Sequence, residues 1–330
     1  MATYKEINGQ KVQSVSSDPP SPFTGQVWYN STSGDVKYFA GPASVGWSSG
    51  GNLPVTTLHY MGGCGDITTA AIFGGETSPA RVATVYVYDG SSWTSGTNMP
   101  TATKQAAAAG TKTAAIVFGG VAPSSVTNGS RLYNGSWSNT PDMPTSQYGM
   151  AAAGTQTSAL GMGGEPTSNA GLTISYNGSS WTAVSSMPSG GKAQTGGGAS
   201  NTSAWVAGGQ DPSGNSTNQA LTYTGSWTSL PNLNTARETL NGGGVVTSAL
   251  VYGGKVSSGP PAAVVTTESY NGSSWTTVSS LNTARRSGAG GGAGNTSSWV
   301  AGGRSNVSPD YTDTTEEFQT LNGVRTIPTS

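Results

Sequence analysis

The chain is 330 residues long, and only 9% of these residues are charged, with a formal net charge of −1. This composition provides no electrostatic field that would gather nucleic acid or an anionic membrane, so we expect neither as a partner. The single cysteine, Cys64, excludes an internal disulfide framework and any metal site built from several cysteines. The sequence also lacks a signal-peptide pattern and an apolar run of bilayer-spanning length, so it predicts no membrane insertion.

The chain begins with a segment that predicts an arm and a hairpin. Polar residues and the proline-rich stretch 18–22 favour an extended arm up to about residue 25, because proline removes backbone donors. Two aromatic-rich segments, 26–30 and 36–39, flank a glycine-containing turn, which is typical of a β-hairpin. We therefore expect residues 1–40 to form an N-terminal arm and hairpin that is distinct from residues 41–330.

Two short phrases alternate through the rest of the chain. The first joins a tyrosine to a tryptophan through an Asn-Gly, Asp-Gly or related turn, as between Tyr270 and Trp275. These dipeptides favour two-residue hairpin turns, and the flanking aromatic residues suit β-strands. The repeated tryptophans, to which we assign a structural role between neighbouring blades, are Trp47, Trp93, Trp137, Trp181, Trp227 and Trp275.

The second phrase is a short apolar segment that ends in two glycines. It recurs at intervals of 44 to 49 residues, within the range of propeller blades. A run of alanine and glycine precedes it in each interval, and such small residues suit the crowded strands nearest a propeller axis. The first glycines of the six pairs are Gly74, Gly119, Gly163, Gly208, Gly253 and Gly302.

This repeat resembles that of the kelch family of β-propellers, in which a double glycine ends the second strand of each blade and a tyrosine and a tryptophan mark the third and fourth. The resemblance covers residues 47 to 318. Arg237 and Arg285 each follow Thr-Ala, in a phrase similar to the charged position near the inner strand of kelch repeats. The Trp-Asp and Gly-His signatures of WD-repeat propellers are absent.

The last interval indicates how the propeller closes. Phe318 occupies the tyrosine position of that interval and no tryptophan follows it, whereas Trp47 precedes the first complete interval. We therefore predict an all-β fold, a six-bladed kelch-like β-propeller closed by an N-terminal strand, in which the strand around Trp47 lies beside residues 315–321.

The N-terminal hairpin carries a second resemblance. Gly25 to Gly34, followed by Val36 to Tyr38, is similar to the short aromatic hairpin that opens many bacteriophage virion proteins, including tail and fibre-like ones. The resemblance implies a virion component that contacts other virion proteins through its N-terminal arm.

The sequence offers little for catalysis. Kelch-type copper radical oxidases need two histidines, and a histidine zinc site needs three, but the chain has only His59. Paired carboxylates among Glu165, Asp211, Asp310 and Asp313 leave a propeller glycoside hydrolase as a lesser alternative. We therefore predict a non-enzymatic protein without cofactor or metal.

The segments after the double glycines are the irregular part of each interval. Because they connect equivalent strands, we expect them to gather on one propeller face, where variable loops on a rigid scaffold favour recognition. We predict that segments 210–220, 255–267 and 304–315 bind a neutral glycan or a polar protein surface. The candidate binding residues are Asp211, Asn215, Asn218, Lys255, Arg304, Asp310, Tyr311 and Asp313.

Two functions are consistent with these patterns. The first is a non-enzymatic structural protein of a bacteriophage virion, of the tail-fibre, appendage or decoration type. It binds a host surface glycan or protein, or another virion protein, through loops on one propeller face, and forms a homo-oligomer on the particle. The alternative is a secreted or surface lectin-like kelch propeller with an extracellular location.

Overall fold

The computed structural model describes residues 12–20, 25–39, 44–78, 80–166, 171–256, 263–305, 310–321 and 324–326. The chain divides into two compact units, one formed by residues 1–46 and 320–330 and the other by residues 47–319. No helix among the described residues is long and apolar enough to cross a membrane.

The first unit contains a four-stranded sheet in the order β1-β2-β3-β31. Its strands are β1 (Gln13–Val15), β2 (Val27–Asn30), β3 (Asp35–Phe39) and β31 (Val324–Thr326). The hairpin predicted from the aromatic segments is the antiparallel pair β2–β3. Strand β1 pairs with β2 in parallel, and β31 pairs with β3 in antiparallel orientation.

Asp18 explains why part of the predicted arm is ordered instead of extended. Its carboxylate accepts hydrogen bonds from the indole nitrogen of Trp28 (3.0 Å) and from the Asn30 side-chain amide (2.8 Å), and it pairs with Lys37 (3.1 Å). These bonds lower the pKa of Asp18, with the Asn30 bond the largest cause. The carboxylate thus ties the segment after β1 to the hairpin, a contact that local sequence pattern does not reveal.

The second unit is a six-bladed β-propeller of four-stranded antiparallel sheets. Blade 1 consists of β6 (Gly62–Cys64), β7 (Ala71–Phe73), β10 (Val85–Tyr88) and β11 (Trp93–Ser95). Blade 2 consists of β12 (Ala107–Thr111), β13 (Ala114–Phe118), β14 (Ser130–Tyr133) and β15 (Trp137–Asn139). Blade 3 consists of β16 (Ala151–Thr155), β17 (Ser158–Met162), β18 (Thr173–Tyr176) and β19 (Trp181–Ala183).

The remaining blades follow the same order from inner to outer strand. Blade 4 consists of β20 (Thr195–Ser200), β21 (Ser203–Ala207), β22 (Ala220–Tyr223) and β23 (Trp227–Ser229). Blade 5 consists of β24 (Asn241–Val245), β25 (Ser248–Tyr252), β26 (Thr267–Tyr270) and β27 (Trp275–Val278). Blade 6 consists of β28 (Ala289–Gly294), β29 (Ser297–Ala301), β30 (Thr315–Leu321) and β4 (Ser44–Ser49).

Blade 6 confirms the predicted closure, because its outer strand β4 comes from the N-terminal side of the chain and lies beside β30. The Gly50 amide donates to the Thr315 carbonyl at 2.9 Å. Trp47 is 8% exposed and packs edge-on against Tyr252 and Phe318, at centroid distances of 4.9 and 5.2 Å. One strand from the N-terminal side of the chain therefore completes a blade whose other three strands come from the C-terminal side.

The repeated tryptophans connect neighbouring blades. The indole of Trp93 in blade 1 donates to Thr315 in blade 6 at 2.8 Å, and that of Trp47 in blade 6 donates to Thr267 in blade 5 at 3.0 Å. Trp93 is buried, whereas Trp137 is half-buried. The other repeated tryptophans divide in the same way, with Trp181 and Trp275 buried and Trp227 half-buried.

The two arginines of the Thr-Ala-Arg phrase form buried ion pairs. Arg237 contacts Glu268 at 2.8 Å, and Arg285 contacts Glu316 at 2.7 Å. The Arg237 guanidinium also donates to the carbonyls of Gly253 and Thr266, so the buried charge has several hydrogen-bond partners. Burial lowers the pKa of both arginines, against the attraction of the paired carboxylate. These arginines have a structural role in blades 5 and 6.

Candidate recognition site at one mouth of the channel

One mouth of the central channel is surrounded by a collar of six residues, one before each inner strand. All six have left-handed backbones, with φ between 52° and 64°. Five of them are not glycine, and a left-handed backbone costs such residues on the order of 1 kcal/mol each. The collar residues are Tyr60, Gln105, Gly149, Ala193, Thr239 and Ser287. The same left-handed conformation therefore recurs at one place in every blade as part of the repeat.

Backbone hydrogen bonds connect the collar from blade to blade. The Gln105 amide donates to the Tyr60 carbonyl at 2.7 Å, and the Tyr60 amide donates to the Ser287 carbonyl at 2.8 Å. Three further bonds of 2.9 to 3.0 Å join Gly149 to Gln105, Thr239 to Ala193, and Ser287 to Thr239. The collar bounds a cavity of about 120 Å³ at this mouth.

A second set of twelve residues, here called the mouth ring, accompanies the collar. Each blade contributes the residue before its collar residue and the residue after its double glycine, which pair across a short antiparallel β-bridge. In blade 3, for example, the backbones of Tyr148 and Glu165 exchange hydrogen bonds of 2.9 and 2.8 Å. In blade order the mouth ring is His59 and Glu76, Lys104 and Val121, Tyr148 and Glu165, Lys192 and Gln210, Glu238 and Lys255, and Arg286 and Arg304.

Charge is concentrated in the mouth ring. Eight of its twelve residues are charged, although only 9% of the chain is. Glu76 pairs with Lys104 at 2.6 Å, Glu165 with Lys192 at 2.5 Å, and Lys255 with Glu238 at 2.8 Å. These pairs are partly buried, with side-chain exposures between 3% and 24%.

Tyrosine exposure distinguishes the same face. Of the tyrosines in the propeller, Tyr60, Tyr148 and Tyr311 are half-exposed, and all three lie in or beside the mouth ring. The seven others are buried. Partly exposed tyrosines provide apolar contact area and a hydroxyl group at little entropic cost, which is why recognition surfaces are rich in them.

The three aromatic side chains at the seam of blades 6 and 1 form a continuous row. The His59 imidazole lies 4.9 Å from the Tyr60 ring and 5.1 Å from the Tyr311 ring, measured between centroids. Lys104 lies 5.8 Å from the centre of the Tyr60 ring, and Arg304 lies 5.4 Å from the centre of the Tyr311 ring. Residues 252 positions apart in sequence are thus brought together by ring closure.

His59 is only 3% exposed and lies on strand β5 (Leu58–His59), which pairs with β8 (Glu76–Thr77). Burial lowers the pKa of His59, and the nearby Arg304 and Lys104 act in the same direction. The Thr57 carbonyl and Glu76, whose carboxylate is 3.9 Å away, oppose this shift. The imidazole is therefore neutral at pH 7.

The structure brings together some of the sequence-predicted residues and not others. Arg304 pairs with Asp310, with its Nε at 3.0 Å from the carboxylate, and forms a β-bridge with Tyr311. Asp211 and Asn215 instead close a turn on themselves, through an amide-to-carboxylate bond of 2.9 Å.

The remaining candidates have separate local contacts. Asn218 donates to the Leu233 carbonyl at 3.0 Å, and Lys255 pairs with Glu238. The Asp313 carbonyl accepts a hydrogen bond from Leu53. Parts of the predicted binding segments, 257–262 and 306–309, lie outside the described residues.

Sequence reasoning did not select Glu76, Lys104, Glu238 or Arg286 for the site. Each is an ordinary charged residue in its local context. The signal that would have found them is their position in the repeat. Glu76 directly follows its double glycine, as do Glu165 and Lys255. When the intervals are aligned on the Met-Pro phrase, Lys104 lies six residues after Asn98, the residue that precedes this phrase. Aligning the six intervals residue by residue would have shown charge at these two positions.

The opposite mouth of the channel has a different character. It is lined by backbone and small side chains, including Gly65, Gly154 and Gly244, around a cavity of about 230 Å³. Cys64 lies at this end, and burial raises the pKa of its thiol to about 12, so the thiol is protonated and unreactive at neutral pH. Among the described residues, no cluster of three or more His, Cys, Asp or Glu side chains is arranged to hold a metal ion.

The six four-stranded sheets and the closing strand define a six-bladed, kelch-like β-propeller. The solved structure of YjhT is similar, with a TM-score of 0.68 over 84% of this chain and 99% of that one, at 17% sequence identity. At that identity the similarity supports the fold alone. No protein-family model matches the chain, and no curated protein matches it in sequence.

Proposed function

We propose that this protein is a non-catalytic recognition propeller that binds its ligand at the mouth ring. The observation that carries the proposal is the concentration of charge and half-exposed tyrosine at that mouth, in a chain that has little charge elsewhere. Reciprocal backbone bonds fix the ring residues before any ligand arrives, and such preorganisation lowers the entropic cost of binding. A neutral glycan or a polar protein surface suits this mixture of charge-paired, hydroxyl and aromatic groups.

We further propose that the protein acts in a bacteriophage virion and contacts the host surface through the mouth ring. The resemblance of the N-terminal hairpin to that of virion proteins supports this setting. The first unit supports it as well, because its sheet is built from residues outside the blades. A secreted lectin-like propeller is the alternative, and it uses the same mouth ring.

The recognition proposal is tested by binding of the fluorescently labelled protein to a panel of bacterial cells and purified surface polysaccharides. Lys192→Gln, Lys255→Gln and Arg304→Gln change the mouth ring, whereas Thr182→Gln, Thr228→Gln and Thr276→Gln change exposed residues of outer strands and serve as matched controls. We expect the ring variants to lose binding and the controls to keep it. Equal binding by both sets would contradict the proposal.

The virion setting has its own test. Antibodies against the purified protein are used to probe phage particles recovered from the source culture and washed through a density gradient. We expect the protein to remain with the particles, and to be lost from particles made with a chain that lacks residues 1–40. Recovery of the protein only in the particle-free supernatant would favour the secreted alternative.

A further inference from the structure

The seam of blades 6 and 1 differs from the rest of the mouth ring because it carries two partly exposed tyrosines, Tyr60 and Tyr311. We propose that a neutral sugar ring binds at this seam, against Tyr60 and Tyr311. The proposal rests on the proposed function, because it names the ligand of the same face.

The aromatic row supplies the contacts that a sugar needs. Tyr60 and Tyr311 both pack against the buried His59 imidazole, with ring centroids 4.9 and 5.1 Å from it, so the two phenol rings lie close together at the seam. Both tyrosines are half-exposed, and neither phenol hydroxyl has a hydrogen-bond partner within the described residues. The C–H groups of a pyranose pack on aromatic faces, and phenol hydroxyls form hydrogen bonds with sugar hydroxyls.

The charges at the seam favour a neutral ligand over a cationic one. Glu76 compensates Lys104, and Asp310 compensates Arg304, whose pKa is raised first by that hydrogen bond. Arg286, the β-bridge partner of Arg304, adds a further positive charge. A cationic ligand would be desolvated here without an opposite charge in excess, whereas a polyhydroxylated neutral ring would not incur that cost.

The surface around the seam favours a sugar over a protein partner. The core of a protein interface is apolar and aromatic and extends over roughly 800 Å² on each side. Among the described residues, Val45 on strand β4 is the one large hydrophobic side chain that is exposed, at 37%. The seam instead adjoins a cavity of about 120 Å³ that is bounded by the collar. This combination matches a small polar ligand.

The proposal is tested by ligand-observed NMR titration of the full-length protein with neutral methyl glycosides of glucose, galactose and mannose, and with N-acetylglucosamine. Methyl glucuronide is the charged comparison. We expect at least one neutral sugar to bind, and Tyr311→Ala and Tyr60→Ala each to weaken it about tenfold or more. Tyr29→Ala, which removes a half-buried tyrosine of strand β2 in the first unit, is the matched control and should retain full affinity. Tyr311→Phe, which preserves the aromatic ring, should retain an intermediate affinity.

Three results would overturn the proposal: no neutral sugar binds, the glucuronide alone binds, or the neutral sugar binds equally well to Tyr311→Ala. Thermal melting of each variant identifies any loss that comes from unfolding, and Tyr311→Phe remains as a folded test if Tyr311→Ala melts early. Failure here is distinct from failure of the recognition face. If the ring variants lose binding to cells while neutral sugars show no binding, the mouth ring remains the recognition site and the sugar assignment is wrong.

Discussion

His59 is the only histidine of the chain, so no other imidazole contributes to the pH dependence of stability. Because its pKa is lowered in the folded protein, the unfolded chain takes up a proton first as the pH falls. Above about pH 6.5 the imidazole is neutral in both states and no penalty applies. Below that pH the unfolded state binds more protons, so His59 reduces the stability of the fold as the pH decreases.

The measurement is the urea midpoint of unfolding at pH 7.5 and pH 5.5 for the wild type and for His59→Gln. We expect the wild type to lose more stability between the two pH values than the variant, since carboxylates titrate in both proteins and only the wild type carries the imidazole. An equal or smaller loss in the wild type would show that the folded protein does not disfavour the imidazolium.

Arg237 and Glu268 form a buried pair that another blade replaces with neutral residues. Blade 3 has Gln147 and Ile174 at the equivalent positions, and Gln147 donates to the Gly163 carbonyl as Arg237 does to that of Gly253. Removing one member of a buried ion pair leaves an uncompensated charge. We therefore expect Glu268→Ile to lower the free energy of unfolding by about 3–5 kcal/mol.

The double variant Arg237→Gln with Glu268→Ile provides the control, because it installs the neutral pair of blade 3. We expect it to recover most of the stability lost by Glu268→Ile, as followed by urea denaturation. A double variant no more stable than Glu268→Ile would show that blade 5 does not accommodate the neutral pair of blade 3.

At the scale of single strands, β4 carries the closure of the propeller. Trp47 is buried against Tyr252 and Phe318, whereas Trp137 at the equivalent place in blade 2 is half-buried. Burial of a tryptophan side chain makes its truncation cost about 3–5 kcal/mol. We expect Trp47→Ala to reach this range in urea unfolding and Trp137→Ala to cost distinctly less. Equal costs would contradict a special role of β4 in closure.

Removal of residues 1–50 tests the same strand as a whole. Without β4, the edge of β30 is left unpaired, and an open strand edge is a template for pairing with another chain. We expect the truncated protein to melt earlier and to self-associate in sedimentation velocity. A monomeric truncated protein with the original melting temperature would show that β4 is dispensable.

The sequence predicted the blades well because each blade repeats its own local rules. Double glycines end the second strands, Asn-Gly turns join the third strand to the fourth, and small residues mark the inner strands, so each of the six intervals carries the same information. The vacancy after Phe318 then identified Trp47 as the closing residue. Strands β1 and β31 were not predicted, because both are three residues long and depend on contacts distant in sequence.

The candidate site was harder to predict from the sequence. The predicted loops do start at the mouth ring, but the contacts of His59 with Tyr311 and of Lys104 with Glu76 join different blades. Such contacts follow from ring closure and not from any local pattern. Asp211 and Asn215 had a suggestive composition, yet a turn that satisfies its own polar groups leaves them engaged with each other.

In the propeller as a whole, the two ends differ in the polar side chains that they carry. One end carries the mouth ring and collar, and the other carries the turns around Asp89, Asn134, Asn177 and Asn271. In those turns a side-chain oxygen accepts bonds from the following serines, so their polar groups are already paired. We therefore propose that recognition takes place at the mouth ring and not at these turns.

Hydrogen–deuterium exchange of the wild-type protein, with and without the cell-surface polysaccharide that it binds most tightly, tests that claim most directly. We expect the polysaccharide to slow exchange in peptides that contain the collar and mouth ring, above all residues 58–61 and 304–305, and to leave the Asn-Gly turns unchanged. Slowed exchange confined to turns 89–92, 134–136, 177–180 and 271–274 would contradict it.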